Sequence, residues 1–210
     1  MATLYKLTTQ DWKTRAGCSE ETLWGPGVRR SSTGPADGRL CSPSYIHAYT
    51  SPLLAILMNP IHAYIDNPVL WECEGEVILS DHLKVGCYHL TTTKIIPTPV
   101  VTTEQRIRFA ILCAMKVYKE PTWNQWAHAW LTGADRSAEA AWKVARATAT
   151  WAAEAAAEAV AEAAAAWVAA TWVAEVAAAW VAEAAAAWAV VGEQIDFEAI
   201  AKEAIERVDQ

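Results

Sequence analysis

VLWECEGEVILSDHLKVGCYHLTTTKII, residues 69–96, is the stretch that decides the fold class. In its first half Trp71, Cys73 and Val77 alternate with Glu72, Glu74 and Glu76, the period-two pattern of a strand with one face in a core and one in water. Residues 80–83 turn the chain, and residues 85–96 supply one bent strand or two. Upstream, Ser51 and Pro52 form a helix cap followed by proline at the first helical position, and Asn59-Pro60 is the expected stop. The run LLAILM between them reads as a short buried helix. Residues 3–7 have the composition of a first strand, and the TTQD at 8–11 is suited to capping a short helix. Residues 25–38 are rich in Gly, Pro, Ser and Asp, which predicts a mobile surface loop. Residues 1–99 therefore read as a small α+β domain.

Past Pro97 and Pro99 the pattern becomes helical. Thr102 and Gln105 make a capping box, and Ile107, Ile111, Ala114, Met115 and Tyr118 fall on one face of the helix it opens. Thr122 and Gln125 suggest a second box, opening a helix with Trp123, Trp126 and Trp130 on one side and Gly133 as its stop. A third helix can start at Asp135 or Ser137. No Gly or Pro interrupts residues 134–191, so a rod of about 58 residues, about 85 Å at 1.5 Å per residue, is expected. Residues 195–208 form a short amphipathic end helix. The whole is α+β: an α+β domain at 1–99 followed by an all-α, Ala/Trp-rich helical module at 100–210.

Within that rod, VAEAAAAW at 160–167, VAEVAAAW at 173–180 and VAEAAAAW at 181–188 are near repeats. Eight residues turn a helix by about 800°, so each octad rotates its Trp by about 80°, and Trp167, Trp172, Trp180 and Trp188 wind around the axis. Ala gains little from hydrocarbon, Glu175 and Glu183 would be costly within it, and no basic cluster flanks the run, so a membrane span is not expected. Close Ala surfaces filled by Trp suit helix packing, and residues 100–210 are expected to join protomers into a homo-oligomer. A platform for stacking ligands is the other reading of these rings.

The net charge of −7 is unevenly placed: residues 147–201 carry no basic residue against eight acids. Phosphate neutralisation needs clustered Lys and Arg, so a nucleic-acid surface is not expected; the basic helix near Arg106 and Arg108 can lie beside the acidic rod. Five widely spaced cysteines without a CxxC pair read as reduced thiols of an intracellular protein. The first residues, MATLYKLTTQDW, lack the apolar run of a secretory signal, which makes the expected location cytoplasmic.

No catalytic or metal signature stands out, and no cofactor is expected. Two candidate binding segments do. Ile46-His-Ala-Tyr49 is echoed by Ile61-His-Ala-Tyr64, so His47, Tyr49, His62 and Tyr64 can line a pocket mouth with imidazoles and aromatic faces. Two helix-flanking segments packing similar residues is the plainer meaning of the echo. In GPGVRRSSTG, Arg29 and Arg30 bring charge, the glycines allow close backbone approach, and Ser31, Ser32 and Thr33 offer hydroxyls to an anion. The plainer meaning there is a solvated loop. Glu72, Glu74 and Glu76 are the side chains for a divalent ion or for acid–base work, or simply a charged solvent face.

The segments LWECEGEV at 70–77, KVGC at 84–87, LTTTK at 90–94 and TEQRIRFAILCA at 103–114, with the Ala-rich tail, resemble a family of bacteriophage and prophage proteins. That resemblance implies a phage accessory protein in the host cytoplasm, of the class that binds and sequesters a nucleotide second messenger of host defence. The Leu4-Tyr5-Lys6 strand, middle helix and late sheet resemble the ADP-ribosyltransferase-like fold, which usually places Arg or His where Lys6 stands. The expectation is a non-catalytic protein for a small anionic ligand, a nucleotide. The alternatives are a nucleotide-processing enzyme, either a degenerate transferase or a phosphodiesterase, and a helical protein-binding assembly.

Overall fold

A computed structural model describes residues 1–35, 37–141, 143 and 195–206. The octads, and with them most of the expected rod, lie outside the described residues. The chain divides into two compact units, 1–100 and 101–210. Among the described residues no helix is long and apolar enough to cross a membrane.

The first unit is α+β, as its alternation requires. Strand β1 (Ala2–Thr8), β2 (Lys13–Thr14), β3 (Thr22–Leu23), β4 (Arg29–Ser31) and β5 (Ile46–Ala48) precede helix α1 (Pro52–His62). Then come β6 (Val69–Gly75), β7 (Leu79–Ser80), β8 (Val85–Cys87) and β9 (His89–Ile96). The main sheet has the order β1-β6-β9-β4, a second pairs β2 with β3, and a third has the order β5-β8-β7, all antiparallel. An isolated bridge between Tyr5 and Tyr49 links β1 to the residue after β5.

Residues paired across antiparallel strands share a face. Leu4 stands opposite Cys73 and Lys6 opposite Trp71, so these four side chains lie on one side of the sheet. With Trp24, Ala48, Val85, Cys87 and Leu90, the three apolar ones build a core. Trp71 is fully buried and its indole nitrogen donates to the Thr8 hydroxyl at 3.0 Å. The other face carries Glu72, whose carboxylate meets Lys94 at 3.2 Å from the paired position on β9. The Glu72, Glu74 and Glu76 row is half-buried or exposed, and no metal-ligating cluster occurs among the described residues.

Several local expectations are corrected. The long alternating strand breaks at Gly75, and Val77 is exposed rather than buried. Residues 85–96 make two strands that belong to different sheets. The TTQD at 8–11 caps no helix: Thr9 Oγ1 bonds Asp11 at 2.6 Å and receives the Lys13 N–H at 2.9 Å, turning β1 into β2. The 25–38 segment is not all loop, because β4 pairs with β9. Helix α1 has the Ser51 cap and Pro52 at its start, yet it runs through Pro60. Pro60 has no N–H to give to the turn before it, so the helix forgoes one bond just before it ends. Asn59 then gathers the exit, its carbonyl accepting from Ala63 and Tyr64 and its side chain bonding Ile65 N and O.

Gly34 has a packing role in the loop between β4 and β5. Its N–H donates to the Pro43 carbonyl, and a Cβ there would lie 2.8 Å from Ser44 N and 3.0 Å from the Pro43 carbonyl carbon. Backbone atoms cannot swing aside as a side chain can. Gly34→Ala is therefore expected to destabilise the first unit by about 1–3 kcal/mol in urea melts. An unchanged midpoint would remove this account of the loop.

The described part of the second unit is helical: α2 (Thr103–Val117), α3 (Pro121–Thr132), a helical start at 138–141 and α4 (Phe197–Glu206). The Thr102 and Gln105 capping box is reciprocal, and Gly133 closes α3 with a left-handed φ of 78°. The second box is corrected: Glu120 caps α3 by accepting from Trp123 N at 2.6 Å, with Pro121 at the first position. Ser137 caps the next helix, and Asp196 caps α4 through Ala199 N. Trp123, Trp126 and Trp130 pack against Ile107, Ile111 and Ala114, with Met115 and Tyr118 at the margin. Arg108 does not serve as a surface base. It is 3% exposed and donates to the Ala204 carbonyl at 3.3 Å and the Leu131 carbonyl at 3.0 Å.

Candidate functional site

Lysine is an unusual occupant of the core face of a strand. Lys6 stands there because β1 alternates and its neighbour across the sheet is Trp71. The residue is half-buried, and its ammonium donates to the His47 carbonyl at 2.9 Å and lies 4.9 Å from the centre of the Trp24 ring. Among the described residues no carboxylate forms an ion pair with it. Burial dominates, and with the like charge of Arg15 outweighs the favourable Cys73 and Cys87 sulfurs, lowering the amine from 10.5 to about 8.

His47 is held from the opposite side. Its Nε2 bonds the Leu40 carbonyl, and β5 sets its backbone opposite Gly86 of β8. A carbonyl only accepts, so Nε2 carries the hydrogen in that tautomer. The imidazole is pushed below its usual value, first by burial and then by the positive charges of Lys6, Lys84 and Arg15.

Lys84 reaches the cluster from the β7–β8 turn. Asp81 organises that turn by accepting from Leu83 N and Lys84 N, and its other oxygen meets the Lys84 ammonium at 2.8 Å. The same ammonium lies 3.2 Å from His62 Nε2, and His62 Nδ1 lies 3.2 Å from the Tyr49 hydroxyl. An ammonium only donates, so Nε2 accepts and Nδ1–H faces Tyr49. The Tyr49 and His62 rings are also stacked, 6.0 Å between centres. Asp81 from the same turn and His62 from the end of α1 thus converge on Lys84, with Tyr49 bonded behind His62.

The structure brings His47, Tyr49 and His62 to Lys6 and Lys84, while Tyr64 turns outward at 64% exposure. Arg30 spends Nε and Nη2 on the Leu23 carbonyl, at 3.0 and 2.7 Å. Arg29 is exposed on β4, Ser31 bonds the His89 ring at 2.8 Å, and Ser32 is tied by its N–H to the Tyr88 carbonyl. The segment at 29–32 is therefore an edge strand bonded to its neighbours, separate in its contacts from the lysine cluster. Lys84 and Arg15 were missed as site residues. The signal for Lys84 was a lysine between Leu83 and Val85, both buried; Lys6 sits likewise between buried Leu4 and Leu7. Cys73 and Cys87 lie near Lys6, but burial pushes their thiols up to about 12 and about 11, leaving them unreactive.

Lys6 on the inner face of the main antiparallel sheet and Lys84 in the β7–β8 turn are the two cations that bond this group of residues. Comparison with protein-family models, with curated proteins and with solved structures returns no match.

Proposed function

We propose that the first unit binds a small anionic ligand, a nucleotide or another phosphate-bearing compound, without chemistry in the binding itself. The observation that carries this is the charge arrangement around His47: Lys6, Lys84 and Arg15 all act on it, and Asp81 is the acid bonded to the cluster. Lys6 meets no carboxylate among the described residues, and a half-buried cation of that kind favours an anion that supplies the missing charge. Tyr49 stacks on His62 and Trp24 lies under the Lys6 ammonium, so the cations sit against aromatic rings. In this reading the protein is a phage accessory protein in the host cytoplasm that sequesters its ligand. The Ala/Trp-rich module at 100–210 joins protomers.

The test is a melting experiment with pyrophosphate, nucleoside mono- and diphosphates and cyclic dinucleotides. A ligand at a hundredfold its dissociation constant is expected to add about 2.7 kcal/mol of stability, a shift of several degrees. No shift with any of them removes the proposal.

A further inference from the structure

Asp37 is the one aspartate of the chain that glycine follows, and both residues are exposed in the loop between β4 and β5. Gly38 has a left-handed φ of 70° and open space where a Cβ would stand, and among the described residues nothing accepts from its N–H. Glycine presents the least hindered backbone nitrogen, the group that can close a five-membered ring on the preceding carboxyl carbon. The Asp37 carboxylate is held from the other direction: Oδ1 accepts from Arg39 N and from Ser42 Oγ, each at 3.0 Å. The Arg39 N–H foremost, with Ser42 and the Arg39 charge, keeps this carboxyl below its ordinary range and so in its ionised, less electrophilic form.

We propose that Asp37 and Gly38 form a site of backbone modification, where aspartate isomerises to isoaspartate through a succinimide at a rate that the Ser42 hydroxyl restrains. The carboxylate takes a proton from solvent and Gly38 N bonds to Asp37 Cγ. The N–H hydrogen leaves with one carboxyl oxygen and its proton as water. A second water adds to the former main-chain carbonyl carbon of Asp37, the bond from that carbon to Gly38 N breaks, and the chain now runs through Cβ and Cγ. No oxidant or reductant enters either step. The product lengthens the backbone inside a loop tied at both ends, by Gly34 N to the Pro43 carbonyl and by the Leu40 carbonyl to His47 Nε2. Through Leu40 the change reaches the residues around Lys6.

The experiment ages the full chain at pH 7.4 and 37 °C, digests it, and separates the peptides that span each aspartate, since the two isomers have equal mass but different retention. Asp37 is expected to gain isoaspartate ahead of Asp66, which precedes Asn67, and Asp81, which precedes His82. The gain should be faster in Ser42→Ala, and faster in urea, where both bonds to the carboxylate are gone. Gly38→Ala sets a methyl beside the attacking nitrogen and should lose most of the rate. A native chain that gains no isoaspartate at Asp37, or gains it no faster than at Asp66 and Asp81, overturns the proposal. A Ser42→Ala chain that ages at the wild-type rate overturns the restraint.

Discussion

Lys6→Met is expected to raise the stability of the first unit by about 2 kcal/mol at pH 7 and to erase its response to anions. A shift from 10.5 to about 8 corresponds to about 3 kcal/mol carried by the charged form, and methionine removes that cost while filling much of the same space. Against it stands about 1 kcal/mol for the lost bond to the His47 carbonyl. The sign is opposite to that of most buried substitutions, which makes the measurement decisive. The pH profile sharpens it. Below about pH 8 the amine is charged in both folded and unfolded chains, and the burial cost is fully present. Between about 8 and 10.5 the unfolded chain keeps a proton that the folded chain has released, so this contribution makes wild-type stability rise with pH. Cys73 and Cys87 act the other way: the stability they contribute is present below 9.0 and is lost as the pH climbs toward their folded values of about 12 and about 11. Subtracting the variant's urea-melt stability from the wild type's cancels the thiols and leaves the lysine. The gap should close between pH 8 and 10.5; a gap independent of pH, or a variant less stable at pH 7, would falsify the account of Lys6.

Arg108→Met is expected to cost the second unit about 3 kcal/mol. The last carbonyls of a helix have no partner within it, and Arg108 supplies donors to Leu131 at the end of α3 and Ala204 near the end of α4. Gln105 does the same for Ile205 at 3.3 Å. One guanidinium thus closes two helices whose C-termini also favour a positive charge. Methionine keeps the stem and leaves two buried acceptors without that donor, each worth about 1–3 kcal/mol. Arg108→Lys keeps the charge but cannot fork toward both carbonyls, and should fall between the two. Wild type, lysine and methionine should therefore rank in that order in urea. A methionine variant within about 0.5 kcal/mol of wild type would mean the carbonyls find other partners.

Much of this was legible in the sequence because it depended on local rules. The Ser51 and Pro52 start of α1, the reciprocal box at Thr102 and Gln105, and the Trp123, Trp126 and Trp130 face each follow from a few adjacent residues. What could not be read was which partner a polar group would find across the fold. Thr9 and Asp11 look like helix caps, but the chain used them to hold a turn against Lys13. Thr122 looked like a cap until Glu120 reached Trp123 N first, helped by Pro121. The candidate site shows the same limit. His47, Tyr49 and His62 were visible through the repeated IHAY motif, but Lys6 and Lys84 become site residues only when β1 and β8 are laid beside β5 and α1. Arg30, promising by charge, is consumed by the Leu23 carbonyl.

The register of the main sheet has a consequence for the order in which the chain can become a protein. Ala2 stands opposite Gly75, and β6 in turn needs β9, which ends at Ile96. The first strand made is thus among the last to find its place, and closing so long a loop costs entropy before any pairing returns it. During synthesis β1, with Lys6 on it, must wait in solvent until nearly the whole first unit has emerged. A growing chain halted before residue 96 would hold β6 with one edge unpaired, the state most prone to pair with a neighbour.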